Sequence, residues 1–268
     1  MATEEAEKRT ARTLLDLLGS GRQSQDIEVP DMTAANRICA HVRTLREARG
    51  ERVIGRKIGF SNRTIWPIYG VDRPMWNYVW HTTLIATADG EAVVDLQGVP
   101  EPRIEPEIVL HLASAPEPGM SEDELLGCIY RVAHGFEIVQ SVYPGWKFSA
   151  PQSAAAFGLH GALAIGWWQD ISSDRMAWGK QLGDFTVTLN RNGSRVETGH
   201  ATNVLGGPVS ALRFLVETIA DEPHPAPLQA GEIVSTGTLT DAQPVAPGTE
   251  WTAEFTGIDL APLRVICR

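Results

Sequence analysis

The sequence predicts an α+β fold whose sheet is mixed and mostly antiparallel. Three observations carry that expectation. Helical periodicity is concentrated in the first 48 residues. Strand-like runs dominate afterwards, with two helical patterns inserted among them instead of alternating with them. No glycine fingerprint of a dinucleotide fold interrupts the order. With 268 residues the chain is long enough for one large domain, or for a domain with an N-terminal extension.

The elements follow in order. Residues 4–19 read as a helix with an apolar second half (Leu14, Leu15, Leu17, Leu18) and Gly19 placed to stop it. A second helix runs from Thr33 to Ala48; Asp31 or Thr33 caps it, Ile38, Val42 and Leu45 share a face, and Gly50 ends it. Val53–Phe60 reads as a strand with glycines at its bends. Residues 61–83 carry Trp66, Tyr69, Trp76, Tyr78 and Trp80, with Pro67 and Pro74 breaking any regular pattern. Ala92–Leu96 and Arg103–Leu112 are strand candidates. Ser121-Glu122-Asp123-Glu124 is a capping box, from which a helix is expected to continue to Ala133. Gly135–Val139 reads as a buried strand, Gly158–Trp168 as an apolar strand region, and Asp184–Asn190 as a half-buried strand turned back by Asn192-Gly193. Pro208 opens a helix reaching Ala220, behind the tight turn Leu205-Gly206-Gly207. Ile233–Gly237 and Trp251–Phe255 complete the strands, and 221–227 is an acidic, proline-containing surface loop.

Composition narrows the function classes. Hydrophobic residues make up 43% and charged residues 21%, which excludes disorder for most of the chain. A net charge of −10 without any basic cluster argues against a nucleic-acid partner. Three cysteines (Cys39, Cys128, Cys267) cannot all pair and form no CxxC, so a disulfide framework and a thiolate zinc site are both disfavoured. The N-terminus is charged throughout, and no run approaches the roughly 18 apolar residues of a membrane helix. The expectation is a cytoplasmic protein with no membrane association.

Glu105-Pro106-Glu107 is the sharpest chemical feature. In a strand, residues i and i+2 share a face, so both carboxylates project together. Such like charges repel, and a divalent cation removes the conflict. Pro106 between them points to an edge or a bulge. Glu137 stands in an otherwise apolar run, Phe136-Glu137-Ile138-Val139, where an unpaired carboxylate is costly. Three carboxylates make an oxygen-rich site suited to Mg²⁺ or Mn²⁺. Spacing alone leaves a second reading open, with Glu105 and Glu107 in solvent and Glu137 paired to Arg103 or Arg131. Strand parity sets Lys57 opposite Ile54 and Ile58, which on pattern alone is an outward, solvated lysine. The histidines show no HxH or HExxH spacing.

Several segments, in order, resemble a known family. Gly55-Arg56-Lys57-Ile58-Gly59-Phe60-Ser61 followed by Tyr69-Gly70-Val71-Asp72 resembles the motif of 2-oxopent-4-enoate hydratases. The 4-oxalocrotonate decarboxylases belong to the same branch of the fumarylacetoacetate hydrolase superfamily. Glu105-Pro106-Glu107-Ile108 looks like the family's metal strand, and Phe136–Val139 like the strand of its third carboxylate. Gly231–Thr240 resembles its A-G-D-x-[IV]-x-T-G-[ST]-L-T signature.

The resemblance implies a twisted, mixed, mostly antiparallel β-roll, with residues 1–83 as an N-terminal helical and strand segment and 84–268 as the metal-binding roll, together one compact unit. It implies Mg²⁺ or Mn²⁺ at Glu105, Glu107 and Glu137, a catalytic Lys57 facing the site, and Ser61 and Thr238 near the substrate carboxylate. The implied activity is hydration of a 2-hydroxy-2,4-dienoate to a 4-hydroxy-2-oxo acid, as in degradation of aromatic compounds. The alternatives are decarboxylation of the 4-oxalocrotonate type or a non-catalytic binding relative. Hydrolysis of acylpyruvates would need a His–Glu pair, and no local motif supplies one.

The chain also departs from the family. Met75 stands where the hydratases carry an acid. Gln140-Ser141-Val142 replaces Asp-Ser-Arg, and Ala150-Pro151-Gln152-Ser153 replaces A-D-N-[AS]. Met75, Trp76 and Trp80 are therefore expected to form an apolar rim, with Trp76 against the substrate, and Arg63 or Arg73 is the nearest cation. That rim favours an uncharged distal group. Eight tryptophans, and relatives that assemble, lead to the expectation of a homo-oligomer.

Overall fold

The computed structural model describes residues 2–222 and 226–268; residues 223–225 of the loop expected over 221–227 lie outside that description. Helices α1 (Ala2–Leu17) and α2 (Met32–Ala48) come first along the chain. Asp31 caps α2 by accepting from the Ala34 amide at 2.7 Å. Leu14, Leu15, Ile38 and Val42 do not join the main core. They cluster with Phe60, Met75, Val142, Tyr143 and Ala154–Phe157.

The larger sheet is built from β1 (Val53–Gly59), β2 (Met75–Trp80), β4 (Arg103–Leu112), β5 (Ile129–Val139), β6 (His160–Ile165) and β9 (Ile233–Ser235), with β3 (Glu91–Val94) in the second sheet. Its order is β2-β1-β9-β4-β5-β6, with the two-residue strand Leu84–Ile85 beyond β6; β1 with β9 and Leu84–Ile85 with β6 run parallel, and the other neighbours in that order antiparallel. The second sheet also holds β7 (Thr186–Arg191), β8 (Ser194–His200), β10 (Glu250–Thr256) and β11 (Arg264–Cys267), in the order β8-β7-β10-β11-β3. Asn192, at φ 50°, and Gly193, at φ 74°, turn the β7–β8 hairpin as their sequence predicts. Three further helices matter here: α3 (Glu122–Gly127), α4 (Ala150–Ala155) and, after α5 (Arg175–Gly183), α6 (Pro208–Ala220). One apolar core joins the sheets: Ile104, Ile108, Leu110 and Phe136 meet Val187, Leu189, Trp251 and Val265, covered by Leu212, Leu215 and Ile219 of α6. The fold is thus the mixed, curled-sheet α+β architecture that the sequence predicts.

Some elements differ from expectation. The Ser121–Glu124 capping box forms, yet α3 ends at Gly127 instead of reaching Ala133. Ile129, Val132, Phe136, Ile138 and Val139 suit a strand flanked on both sides, and sheet pairing overrides the cap. The aromatic stretch 61–83 contains β2, and α4 and α5 go beyond the elements read from sequence, although Ser149-Ala150-Pro151-Gln152 is a capping box with a proline in its first turn and Asp174 caps α5. Pro106 lies inside β4, which is not an edge strand. β9 stops at Ser235, opposite Val109, and from there an irregular segment donates the Thr236 amide to Ile108 O and the Leu239 amide to Pro106 O. The missing proline N–H therefore faces a stretch with no ladder to break.

Candidate active site

The pleat of β4 sends Ile104 and Ile108 into the core between the sheets and Glu105 and Glu107 to the opposite face. On β5, Glu137 stands directly across from Glu105. One oxygen from each carboxylate lies within 4.8 Å of the others. Glu107 and Glu137 are 0% exposed, whereas Glu105 is half-buried. Like charges at opposed strand positions are destabilising, so something must offset them.

The protein satisfies only half of each buried carboxylate. Glu107 Oε2 accepts from Ser235 Oγ and from the Gly237 amide at 2.9 Å. Glu137 Oε1 meets His160 Nδ1 at 2.6 Å. Glu107 Oε1 has no hydrogen-bond partner, and Glu137 Oε2 meets only the Lys57 ammonium, at 3.2 Å. Orphaned buried oxygens are rare and costly. A hard divalent cation shared with Glu105 would satisfy both, so the residues present fit Mg²⁺ or Mn²⁺.

Lys57 balances the cluster from β1. The strand is covered on both faces, leaving Arg56 2% and Lys57 3% exposed; the outward lysine suggested by pattern is not what folds. Its ammonium lies 3.2 Å from Glu137 Oε2 and donates to Gly158 O at 2.9 Å. Burial favours the neutral amine, but Glu137, Glu105 and Glu107 outweigh it and hold Lys57 above the ordinary lysine range. Burial pushes Glu107 well above the carboxylate range, with Glu137 and Glu105 adding to it. Burial also takes Glu105 up to about 7 against the pull of Lys57. Glu137 is penalised by burial too, yet Lys57 and His160 hold it below its usual value.

A cavity of about 420 Å³ opens on this cluster, with Lys57, Glu105, Ser61 and Thr238 in its wall. Ser61 lies against Gly237, and its carbonyl accepts from the Leu205 amide at 3.1 Å. Thr238 Oγ1 donates to Thr240 O at 2.7 Å. Phe157, Gly158 and Leu159 all have positive φ (61°, 59°, 65°), and this strained turn presents the Gly158 carbonyl to Lys57.

The distal end is arranged differently from expectation. Met75 reaches the cavity, but Trp76 points the other way from β2 and donates to Glu222 Oε1 at 2.7 Å. Trp76 is therefore not brought together with the other site residues. Trp80 is 1% exposed and stacks under Arg46. Arg63 lies on Trp66 and Phe214, and Arg73 pairs with Asp72 and Asp221. Besides Lys57, the cation in the wall is Arg103, on the Glu105 face of β4, stacked 4.2 Å over Trp146. Among the described residues no carboxylate lies within 4.0 Å of it. Sequence reading missed Arg103 in this role, although its parity with Glu105 and Glu107 was a signal. It also missed Ser235 and His160, whose partners come from distant strands.

Comparisons with known proteins identify the family and the fold. The family model described as fumarylacetoacetate (FAA) hydrolase C-terminal matches residues 69–265. A 2-hydroxyhexa-2,4-dienoate hydratase of Comamonas testosteroni is 30% identical over 260 residues, covering 96% of this chain and 92% of that protein. A 4-oxalocrotonate decarboxylase of Pseudomonas sp. (strain CF600) is 29% identical over 251 residues, covering 89% and 88%. The solved structure of 4-oxalocrotonate decarboxylase from Pseudomonas putida G7, complexed with magnesium and adipate, has the same fold, with a TM-score of 0.88 at 24% identity over 98% of each chain.

Proposed function

The chain belongs to the fumarylacetoacetate hydrolase family, and from that premise we propose that it is a divalent-metal-dependent hydro-lyase. It adds water to a 2-hydroxy-2,4-dienoate to give a 4-hydroxy-2-oxo acid in aromatic-compound catabolism. One observation carries the reading: Glu107 Oε1, without a hydrogen-bond partner, and Glu137 Oε2, met only by the Lys57 ammonium, converge with Glu105 at the end of a cavity sized for a small acid. Glu105, Glu107 and Glu137 would hold Mg²⁺ or Mn²⁺. When bound, the ion would act as a Lewis acid toward a 2-oxo acid chelating through its carboxylate and 2-oxygen.

This chain's own residues do the rest. Ser61 orients the carboxylate end, with Thr238, whose hydroxyl hydrogen goes to Thr240 O, in the wall beside it. Lys57, kept cationic by its three neighbours, moves the proton that converts the dienol to the enone. Glu105, the most exposed of the three acids, faces the space where water adds. His160 does not line the cavity, so the His160–Glu137 pair is not placed to activate water for acylpyruvate hydrolysis.

Arg103 favours a second reading, decarboxylation of a 2-oxo dicarboxylate whose far carboxylate would pair with that guanidinium. The chain is further read as a cytoplasmic homo-oligomer. Its three cysteines are unpaired, no described helix is long and apolar enough to cross a membrane, and Ile68, Trp167 and Met176 are 76%, 58% and 74% exposed.

The test is turnover of freshly generated 2-hydroxypenta-2,4-dienoate, a substituted analogue and 2-oxohex-3-enedioate with Mg²⁺ or Mn²⁺. Metal-dependent hydration that is lost in Glu107→Gln and Glu137→Gln is expected. Faster turnover of the dicarboxylate with CO₂ release would establish the second reading. No turnover and no metal binding would leave a binding relative.

A further inference from the structure

His160 opens β6 and is 2% exposed. Its ring bridges two groups: Nδ1 meets Glu137 Oε1 at 2.6 Å, and Nε2 meets Thr83 Oγ1 at 2.8 Å. The Thr83 hydroxyl donates its one hydrogen to Trp80 O at 2.9 Å. Toward His160 it can therefore only accept, so Nε2 carries a hydrogen. The facing groups on the other side are a ring nitrogen and a carboxylate oxygen, and a contact of that length needs a proton between them. The ring is thus clamped at both ends, with Thr83 fixed in turn to the Trp80 backbone.

The clamp has a consequence for Glu137. Its Oε1 is occupied from behind, so only Oε2 remains for the cluster, where the Lys57 ammonium is its one neighbour of opposite charge. Glu107 is arranged alike, with Ser235 and Gly237 occupying Oε2 and leaving Oε1. We propose that His160 is a positioning residue that makes Glu137 a one-oxygen ligand and holds that oxygen on the cluster. The inference rests on the metal reading above. His160 sits behind Glu137 and touches no part of the cavity, so it acts through Glu137 and not on substrate.

The test is Mn²⁺ affinity of the full chain, read from the free-ion EPR signal, with the bound-ion line shape as a second readout. His160→Leu should weaken Mn²⁺ binding by about 10- to 100-fold, the usual effect of losing a partner behind a metal ligand. His160→Asn, whose amide can still donate to Glu137, should recover most of that loss and restore the wild-type line shape. Thr83→Val, which frees the far side of the ring, should weaken binding about threefold, the scale of one lost hydrogen bond; it decides the matter if His160→Leu does not fold. Wild-type affinity in His160→Leu, or in Thr83→Val where the leucine variant fails, overturns the inference. If the wild-type protein itself binds no Mn²⁺, the metal reading fails and the clamp has no ligand to position.

Discussion

Gly237→Ala is the substitution whose effect the structure specifies most fully. Gly237 has φ +103°, and a Cβ built there would lie 2.1 Å from Ser61 Oγ and 2.4 Å from Ser61 Cβ. Rotating the serine relieves only the first contact, because Cβ is tied to the backbone. Forcing an L-residue into that conformation costs about 1–3 kcal/mol, and overpacking a buried contact adds about 1–3 kcal/mol. The sum, about 2–6 kcal/mol, is a large share of the usual 5–15 kcal/mol stability of a domain. Relief must come by moving Ser61 or the 237 turn. The turn also supplies the amide that holds Glu107 Oε2. Urea unfolding and Mn²⁺ titration should therefore both show losses. Ser61→Gly in the same background removes the clash but not the strain, and should return about 1–3 kcal/mol. Stability within about 1 kcal/mol of wild type with unchanged Mn²⁺ affinity would refute the reasoning.

Four other outcomes are expected. Lys57→Met should bind Mn²⁺ at least as tightly, having lost a competing cation, while hydration slows by at least about 10²-fold; equal turnover would remove Lys57 from the chemistry. Burial holds His134 down to about 3 from 6.5. Its contribution to stability is thus complete above the unfolded value and lost as pH falls below it, by about 2 kcal/mol between pH 7.5 and pH 5; denaturant titrations should show a smaller acid loss in His134→Leu. Arg103→Met should raise KM for 2-oxohex-3-enedioate by about tenfold, the scale of one charge-assisted hydrogen bond, and leave the monocarboxylate dienoate unchanged; equal effects on both would deny Arg103 a substrate role. Light scattering at micromolar concentration should give at least a dimer, and the mass of a single chain would contradict the oligomer.

The parts of the fold visible in the sequence are those set by local chemistry. Asp31, Asn192-Gly193, the Ser121 box and Pro208 each act within a few residues, and each does in the structure what its side chain predicts. The extent of α3 was not visible, because sheet neighbours decide it. Glu105 and Glu107 could be placed on one face from spacing, and Glu137 could be singled out by its apolar setting. Their convergence needs the register that sets Glu105 opposite Glu137. Lys57 defeats the pattern because β1 is covered on both faces, so alternation carries no information there. Trp76 and Met75 are neighbours on β2, and which of them meets the cavity is a one-residue question of parity that irregular flanking sequence cannot settle.

The parallel pairing of β1 with β9 also orders events in time. Lys57 lies on a strand that leaves the ribosome early, yet its sheet neighbour Ser235 is made near the end. The helices α1 and α2 wait likewise for residues 142–157 to cover their apolar faces. Contacts so distant along the chain close slowly and late. Until then the early helices present bare apolar surface, the state in which chains associate wrongly and chaperones engage them. Ser235 and Gly237 hold Glu107 only once this crossover is made, so metal capture reports on whether the chain has been made past β9 and folded, and a chain cut short before β9 cannot assemble that half of the centre.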